Sequence, residues 1–234
     1  MQLFYNSDIK QGATTFFFDK EESKHIVKVL RKKESDKIFI TNGLGFLFES
    51  EIILASEKKC EVKITKETFQ EPDAFYTHIA VAPTKMNDRL EWFLEKATEI
   101  GIHEITPIIC DHSERKVYKI DRAEKIIQAA MKQSLHYYIP KINEPISLSQ
   151  FVKSNIDGQK FIAHCEETDK KSFKNEVKKD EKITILIGPE GDFSSKEINL
   201  TIENNFIPVT LGNTRLRTET AALVACHTIA LINE

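Results

Sequence analysis

The chain lacks several features that would each point to a function. Its start, "MQLFYNSDIK", has no basic stretch followed by an apolar run, so no secretory signal is apparent and a cytoplasmic protein is expected. The longest apolar stretches, such as "AALVACHTIALI", are too short and too interrupted to span a bilayer, so no membrane is expected. Cys60, Cys110, Cys165 and Cys226 stand far apart with no C-x-x-C pair, which argues against a zinc site and a disulfide framework. They read instead as buried small hydrophobes in a reducing compartment. His25, His78, His103, His112, His164 and His227 lack metal-ligand spacing, and no metal is expected. There is no fixed-period repeat and no low-complexity segment. Nor is there an excess of positive charge: a net charge of −3 and a pI near 6.2 exclude a dedicated nucleic-acid coat, although not a local basic face.

What is present describes an ordinary globular chain, 41 % apolar and 29 % charged over 234 residues. That length suits one large domain or two small ones, burying about 70–75 % of the unfolded surface. The first seventy residues are mostly β. "KIFIT" alternates, "NGLG" supplies a hairpin turn and "FLFESEIILA" returns; "SEKK" then leads into "CEVKIT". "EESKHIVKVLRKK" places Ile26, Val27 and Leu30 on one helical face. Short strands plus one helix predict a small barrel, closed so as to leave no exposed edge.

Near "QEPDAFY" the pattern changes to alternating strands and helices. "HIAVAP", "EITPIIC", "KFIAHC", "ITILIG" and "FIPVTL" are continuous apolar runs, as buried parallel strands are. Between them lie "NDRLEWFLEKATEIG", where Trp92 and Phe93 read as core, "DRAEKIIQAAMKQSLHY", "SLSQFVKS", a charged stretch over 166–179, and "SSKEINLTIENN". The fold class is α/β with a parallel sheet, in two domains: a β-barrel over 1–70 and an α/β domain over 71–234.

Ligands of open parallel sheets bind beyond the C-terminal strand ends. Two loops at such ends stand out. "ITILIGPEGDFSSKE" ends a buried strand at Gly188, exposes backbone at Gly188 and Gly191, stiffens the turn with Pro189, and offers a capping box from Ser194 to Glu197. It reads either as a ligand cradle or as simple turn punctuation; it is neither G-x-G-x-x-G nor a P-loop. The second, "LGNTRLRTETAAL", sets Arg215 and Arg217 before a helix that Thr218 can cap and whose first turn carries Glu219. The arginines are either solvated or held for a carboxylate or phosphate.

"LIGPEGDFS" together with "LGNTRLRTETAAL" resembles the paired signatures of the SPOUT-class RNA methyltransferases, specifically the RsmE-type family. "HIVKVLRKKESDKIFITNGLGFLFESEI" is similar to that family's PUA-like barrel, and "PTKMNDRLEWFLEKATEIGIHEITPII" and "AAMKQSLHYYIPKI" to its middle stretches, so the resemblance covers nearly the whole chain. It implies a deep trefoil knot in the C-terminal α/β domain, a homodimer, S-adenosylmethionine as cofactor, and methylation of N3 of a uridine in 16S RNA of the small ribosomal subunit. It implies cofactor loops at 187–191 and 211–220 with 163–166 as a third wall. His164, Ile187, Gly188, Glu190, Gly191, Leu211, Gly212, Leu216, Arg217 and Thr220 are then the cofactor-binding candidates, with backbone groups of Leu211, Gly212 and Leu216 on the adenine. Three positions depart from the family pattern: His136 replaces an arginine or lysine, Ser35 a glycine before an aspartate, and Asp192 a second glycine.

N3 methylation requires removing an imide proton and stabilising the resulting charge on the uracil oxygens. Arg215 and Arg217 are candidates for meeting that charge. Glu190 and Glu219 are candidates for a base or for orienting an arginine, and Glu219 serves equally well as a helix-dipole partner. N3 lies on the pairing edge, so the target must be unpaired or flipped out. Lys24, Lys28, Arg31, Lys32, Lys33 and Lys37 are candidates for gripping RNA, with His136 as a phosphate contact; the same run also reads as a solvated face interrupted by Glu34 and Asp36. Two other readings share parts of this pattern: a knotted methyltransferase of a tRNA ribose hydroxyl, and a non-catalytic RNA-binding protein of ribosome assembly with a vestigial pocket.

Overall fold

The computed structural model describes residues 1–167 and 169–234. They form two compact units: Met1–Pro72 with Met131–Ile139, and Asp73–Ala130 with Pro140–Glu234.

In the first unit the chain forms β1 (Leu3–Tyr5), β2 (Thr15–Phe17), α1 (Lys20–Lys24), a π-helical turn at His25–Val29, β3 (Lys37–Thr41), β4 (Phe46–Leu54) and β5 (Glu61–Phe69). Asp19 caps α1 by accepting from the Glu22 backbone N–H at 2.8 Å. The expected hairpin is present, with β3 and β4 antiparallel through the "NGLG" turn. Gly45 adopts a φ of +90°, and a side chain there would collide with the Tyr138 hydroxyl. That tyrosine belongs to the inserted segment 131–139, which joins the sheet turn through Gly45 N–H to Tyr137 O (3.0 Å) and Ile139 N–H to Gly43 O (3.0 Å). Ser35, where the family pattern has glycine, is held at a φ of +71°. The substitution therefore leaves a β-carbon in left-handed backbone that glycine enters without cost.

The barrel is not closed by strand pairing. The sheet order is β1-β3-β4-β5-β2, so β1 and β2 are both edges, and the sheet is a curled half-barrel. Register shifts at Glu49/Ser50 and Ile52/Leu54 supply the bend. The two edge strands are only 3 residues long, which protects the edges by brevity where closure was expected. Inside the curl, Phe4, Phe18, Ile26, Ile38, Ile40, Phe48, Ile52 and Val62 form one buried cluster. Each such side chain contributes on the order of 1.5–3 kcal/mol relative to exposure.

The second unit contains β6 (Tyr76–Val81), α2 (Asn87–Ile100), β7 (Glu104–Ile109), α3 (Ile120–Ser134, whose last turn falls in the first unit), β8 (Lys141–Ile142), β9 (Ile146–Ser147), α4 (Leu148–Val152), β10 (Gln159–Ala163), β11 (Lys171–Ser172), α5 (Phe173–Glu176), β12 (Lys182–Ile187), α6 (Ser195–Glu203), β13 (Ile207–Thr210) and α7 (Thr218–Asn233). Its sheet runs β11-β13-β10-β12-β6-β7-β8, with β9 paired to β7, and every ladder is parallel. All five apolar runs form strands of this sheet. They read as continuous because both faces are covered. Ala80, Ala82, Ile108, Ile162 and Leu186 share a cluster with Phe151, Phe193, Ile198 and Phe206. The alternate positions Ile79, Val81, Ile185 and Ile187 project to the opposite face. There α7 lies on β6 and β12 and packs against α2. The charged stretch over 166–179 forms only the short α5, preceded by β11; Thr168, within it, lies outside the described residues. On α2, Phe93 is core as expected, but Trp92 is 44 % exposed. Residue 92 falls on the outer side of a helix whose buried positions are 90, 93, 94, 97 and 98.

Candidate active site

The site is built on the C-terminal ends of β10 and β12, which pair in parallel from Gln159↔Ile183 to Ala163↔Ile187. Beyond Ile187 the chain turns through Gly188 to Phe193 and enters α6 with the expected capping box. Ser194 Oγ accepts from the Glu197 N–H, and Glu197 Oε2 accepts from the Ser194 N–H at 2.8 Å. The other Glu197 oxygen accepts from the Asp111 N–H at 2.9 Å, fastening the loop after β7 to the same helix start. Asp192 sits at a φ of +63°, which explains why a second glycine is common there. Its carboxylate compensates by accepting from the Cys165 N–H at 2.7 Å, tying the β12 loop to the β10 loop.

The third wall is the approach to α7. Thr218 does not cap that helix. Arg217 holds the N-cap position without a side-chain bond, and Thr218 Oγ1 instead donates to the Gly188 carbonyl at 3.0 Å. The hydroxyl thus links the two signature loops, and the positive end of α7 keeps no side-chain cap.

Together these loops enclose a cavity of about 280 Å³. It is lined by Ala163 and Cys165, by Ile187, Gly188, Pro189, Glu190 and Asp192, and by Arg215, Leu216, Arg217, Thr218 and Ala221. Of the cofactor-binding candidates, Ile187, Gly188, Glu190, Leu216 and Arg217 lie on this lining, and Arg215 joins them. His164, Gly191, Leu211, Gly212 and Thr220 do not. A β-carbon on Gly188 would press on the Phe193 ring at 3.0 Å, and one on Gly191 would press on His112 at 3.1 Å. Cys165 is exposed on the cavity wall, whereas the other three cysteines are buried, so the reading of four buried hydrophobes holds for three. Its position at a strand's C-terminal end is the signal that composition alone did not carry.

Near the cavity, the ring nitrogens of one buried residue and one carboxylate oxygen of another have no hydrogen-bond partner among the described residues. His164, between lining residues Ala163 and Cys165, is 7 % exposed, and neither ring nitrogen has a hydrogen-bond partner among the described residues. Burial lowers its pKa, and Lys170 adds to that, so the ring is neutral at pH 7. Glu219 is buried in the first turn of α7 with Oε2 unpartnered. Glu190 is already engaged, its Oε1 accepting from the Lys85 N–H at 3.0 Å. Lys85 and the loop after β7 were not singled out in the sequence, because nothing in their spacing marks them.

A larger cavity, about 490 Å³, opens at the opposite, N-terminal end of β6, β7 and β12. His78, Glu104, Thr106 and Asn143 on its wall satisfy one another. His78 Nε2 lies 2.7 Å from Thr106 Oγ1; Asn143 Nδ2 donates to Glu104 (2.7 Å) and to Thr106 (2.7 Å); Tyr76 OH and Lys141 Nζ donate to Glu104 at 3.1 and 2.9 Å. Burial, reinforced by Lys141, outweighs the pull of Glu104 and lowers the His78 pKa to about 4.

In the first unit Lys24, Lys28, Arg31, Lys33 and Lys37 are exposed and Lys32 is half-buried. Among the described residues none of them forms a side-chain ion pair. His136 is half-buried in the inserted segment 131–139.

Comparison with known proteins bears on both units. The RNA methyltransferase domain family matches residues 71–230, and the RNA methyltransferase PUA domain family matches residues 18–65. The chain is similar to "Ribosomal RNA small subunit methyltransferase E" of Buchnera aphidicola, 33 % identical over 220 residues that cover 90 % of this chain and 85 % of that one. Among solved structures it is similar to a "probable rRNA-methyltransferase" from Porphyromonas gingivalis, with a TM-score of 0.92 and 38 % identity over 100 % of this chain and 98 % of that one. A structure from Legionella pneumophila in complex with the bound cofactor SAM superposes with a TM-score of 0.88, at 28 % identity over 99 % of this chain and 97 % of that one.

Proposed function

The chain belongs to the ribosomal RNA small subunit methyltransferase E family, and from that premise we propose that it uses S-adenosylmethionine to methylate N3 of a uridine in 16S RNA of the small ribosomal subunit. The observation that carries the reading is the 280 Å³ cavity formed where the two signature loops meet. Its walls suit such a cofactor. The side-chain-free backbone of Gly188 admits close approach, and Ile187, Leu216 and Ala221 supply apolar surface. When bound, the cofactor supplies an electrophilic methyl group on a sulfonium sulfur.

The remaining work falls to the chain. Arg215 and Arg217 stand exposed at the cavity with donors for the charge that spreads onto the uracil oxygens once the N3 proton leaves. Asp192 and Glu190 are the carboxylates on the lining, and each already accepts a backbone N–H, so each is held in place. Glu219 lies behind the helix start and suits orientation better than direct contact with substrate. The exposed, unpaired basic run of the first unit holds the RNA backbone. A homodimer, a trefoil knot in the second unit and a cytoplasmic setting complete the proposal, in keeping with the family. The PUA-matched unit at 18–65 favours this reading over a tRNA ribose methyltransferase.

Primer extension on small-subunit RNA from a deletion strain tests it. An N3-methyl stop should be absent, should return with the wild-type gene, and should not return with Arg217→Ala. A stop that persists in the deletion strain overturns the assignment.

A further inference from the structure

The strands β12, β6 and β7 are neighbours, and the loops leaving their C-terminal ends are fastened together. Glu190, on the cavity, accepts from the Lys85 N–H at 3.0 Å. His112 Nδ1 lies 3.1 Å from the carbonyl oxygens of both Gly191 and Asp192. Arg115 Nη2 donates to the Lys85 carbonyl at 3.0 Å. Two cations outside both signature loops are therefore fixed beside the cavity through backbone bonds.

Neither cation is spent on a strong partner. Arg115 forms no ion pair among the described residues, and its Nε is buried without an acceptor. Its Nη2 already donates to the Lys85 carbonyl and its Nε is enclosed, so the guanidinium meets a phosphate as a positioned charge through Nη1. Lys85 Nζ pairs with Glu114 at 2.9 Å, but the two side chains are 67 % and 55 % exposed. Solvent screens such a pair, and a phosphate can displace the carboxylate.

We propose that Lys85 and Arg115 form a grip for the RNA backbone on the catalytic unit, seating a phosphodiester beside the target nucleotide, and that Glu190 is a positioning residue that holds Lys85 in reach. This rests on the RNA methyltransferase reading. Such a contact fixes the register of the strand over the cavity without reading its sequence. It complements the basic run on the first unit, which lies in a different element set.

The test is binding of the full-length, cofactor-saturated protein to unmethylated small ribosomal subunits across a salt series, with cofactor affinity measured separately by calorimetry. Arg115→Gln and Lys85→Gln should each weaken subunit binding about 5- to 20-fold and flatten the slope of log K against log salt by about 0.7–0.9, the loss of one phosphate contact. Cofactor affinity should stay within about twofold. Glu114→Gln, which removes the competing carboxylate, should tighten binding, a direction that damage to folding does not produce. Glu190→Ala should flatten the slope partially, and Glu190→Gln, which keeps a carbonyl acceptor for Lys85, should restore it. Unchanged slopes in both cation variants overturn the grip, as does a parallel loss of cofactor affinity or weaker binding by Glu114→Gln. If the wild-type protein itself binds neither cofactor nor subunits, it is the proposed methylation of small-subunit RNA that fails; if the wild type binds and the variants match it, only the grip fails.

Discussion

Two cavities of the second unit differ in how their polar groups are engaged, and the larger of the two is not the one proposed to do the chemistry. The 490 Å³ cavity lies at the N-terminal strand ends, where His78, Glu104, Thr106 and Asn143 already satisfy one another. The 280 Å³ cavity lies at the C-terminal ends, where two exposed arginines line the mouth. Volume is a poor guide here. Position at the C-terminal end of a parallel sheet, with two exposed arginines at the mouth, distinguishes a ligand site from a polar cluster whose groups bond one another.

The contrast can be broken from either side. The largest expected effect is at the smaller cavity: Arg217→Ala should lower methyl transfer to small subunits by roughly 10²–10³-fold, the loss of one donor to developing charge. The backbone and apolar wall remain, so calorimetric cofactor affinity should change far less. An equal loss in both would make Arg217 a cofactor ligand and erase the division of labour. Next is the acid response of the larger cavity. His78 titrates near 4 when folded against an ordinary 6.5, so between those values the unfolded chain binds the extra proton and folding weakens as pH falls. Denaturant unfolding should show this group costing on the order of 2 kcal/mol between pH 6.5 and pH 5. His78→Gln should flatten that portion of the profile; an unchanged profile would mean the ring is not held neutral. The smallest effect is at Asn143, whose amide bonds Glu104 and Thr106. Asn143→Ala should destabilise by about 1–2 kcal/mol and leave cofactor affinity and transfer rate intact once the fold is accounted for. A specific loss of transfer would make the larger cavity functional.

How much of this was legible depended on whether a feature was local. The five parallel strands were readable because strands covered on both faces must be apolar throughout, and Ser194 with Glu197 was readable because a capping box spans only one helical turn. Thr218 was misread for the same reason in reverse. Its sequence context is that of a cap, but its hydroxyl finds the Gly188 carbonyl, 30 residues distant. Barrel closure failed because it depends on where two three-residue edge strands come to lie, which periodicity does not encode. Within the site, the two signature loops announced themselves through glycine, proline and paired arginines. Lys85, Arg115 and His112 did not, since their position follows from the order of β12, β6 and β7 in the sheet and from no motif. Asp192 and Ser35 looked like departures from a family pattern; the left-handed backbone at both shows what the usual glycine is for.

The bond from Thr218 to Gly188 also couples the two loops. One end of it lies just after β12, a strand in the middle of the sheet, and the other at the first residue of α7. Moving either loop away from the other breaks that bond, so the start of the helix and the end of the strand are held to one geometry. A ligand that touches both loops then stabilises the strand end and the helix start as one unit.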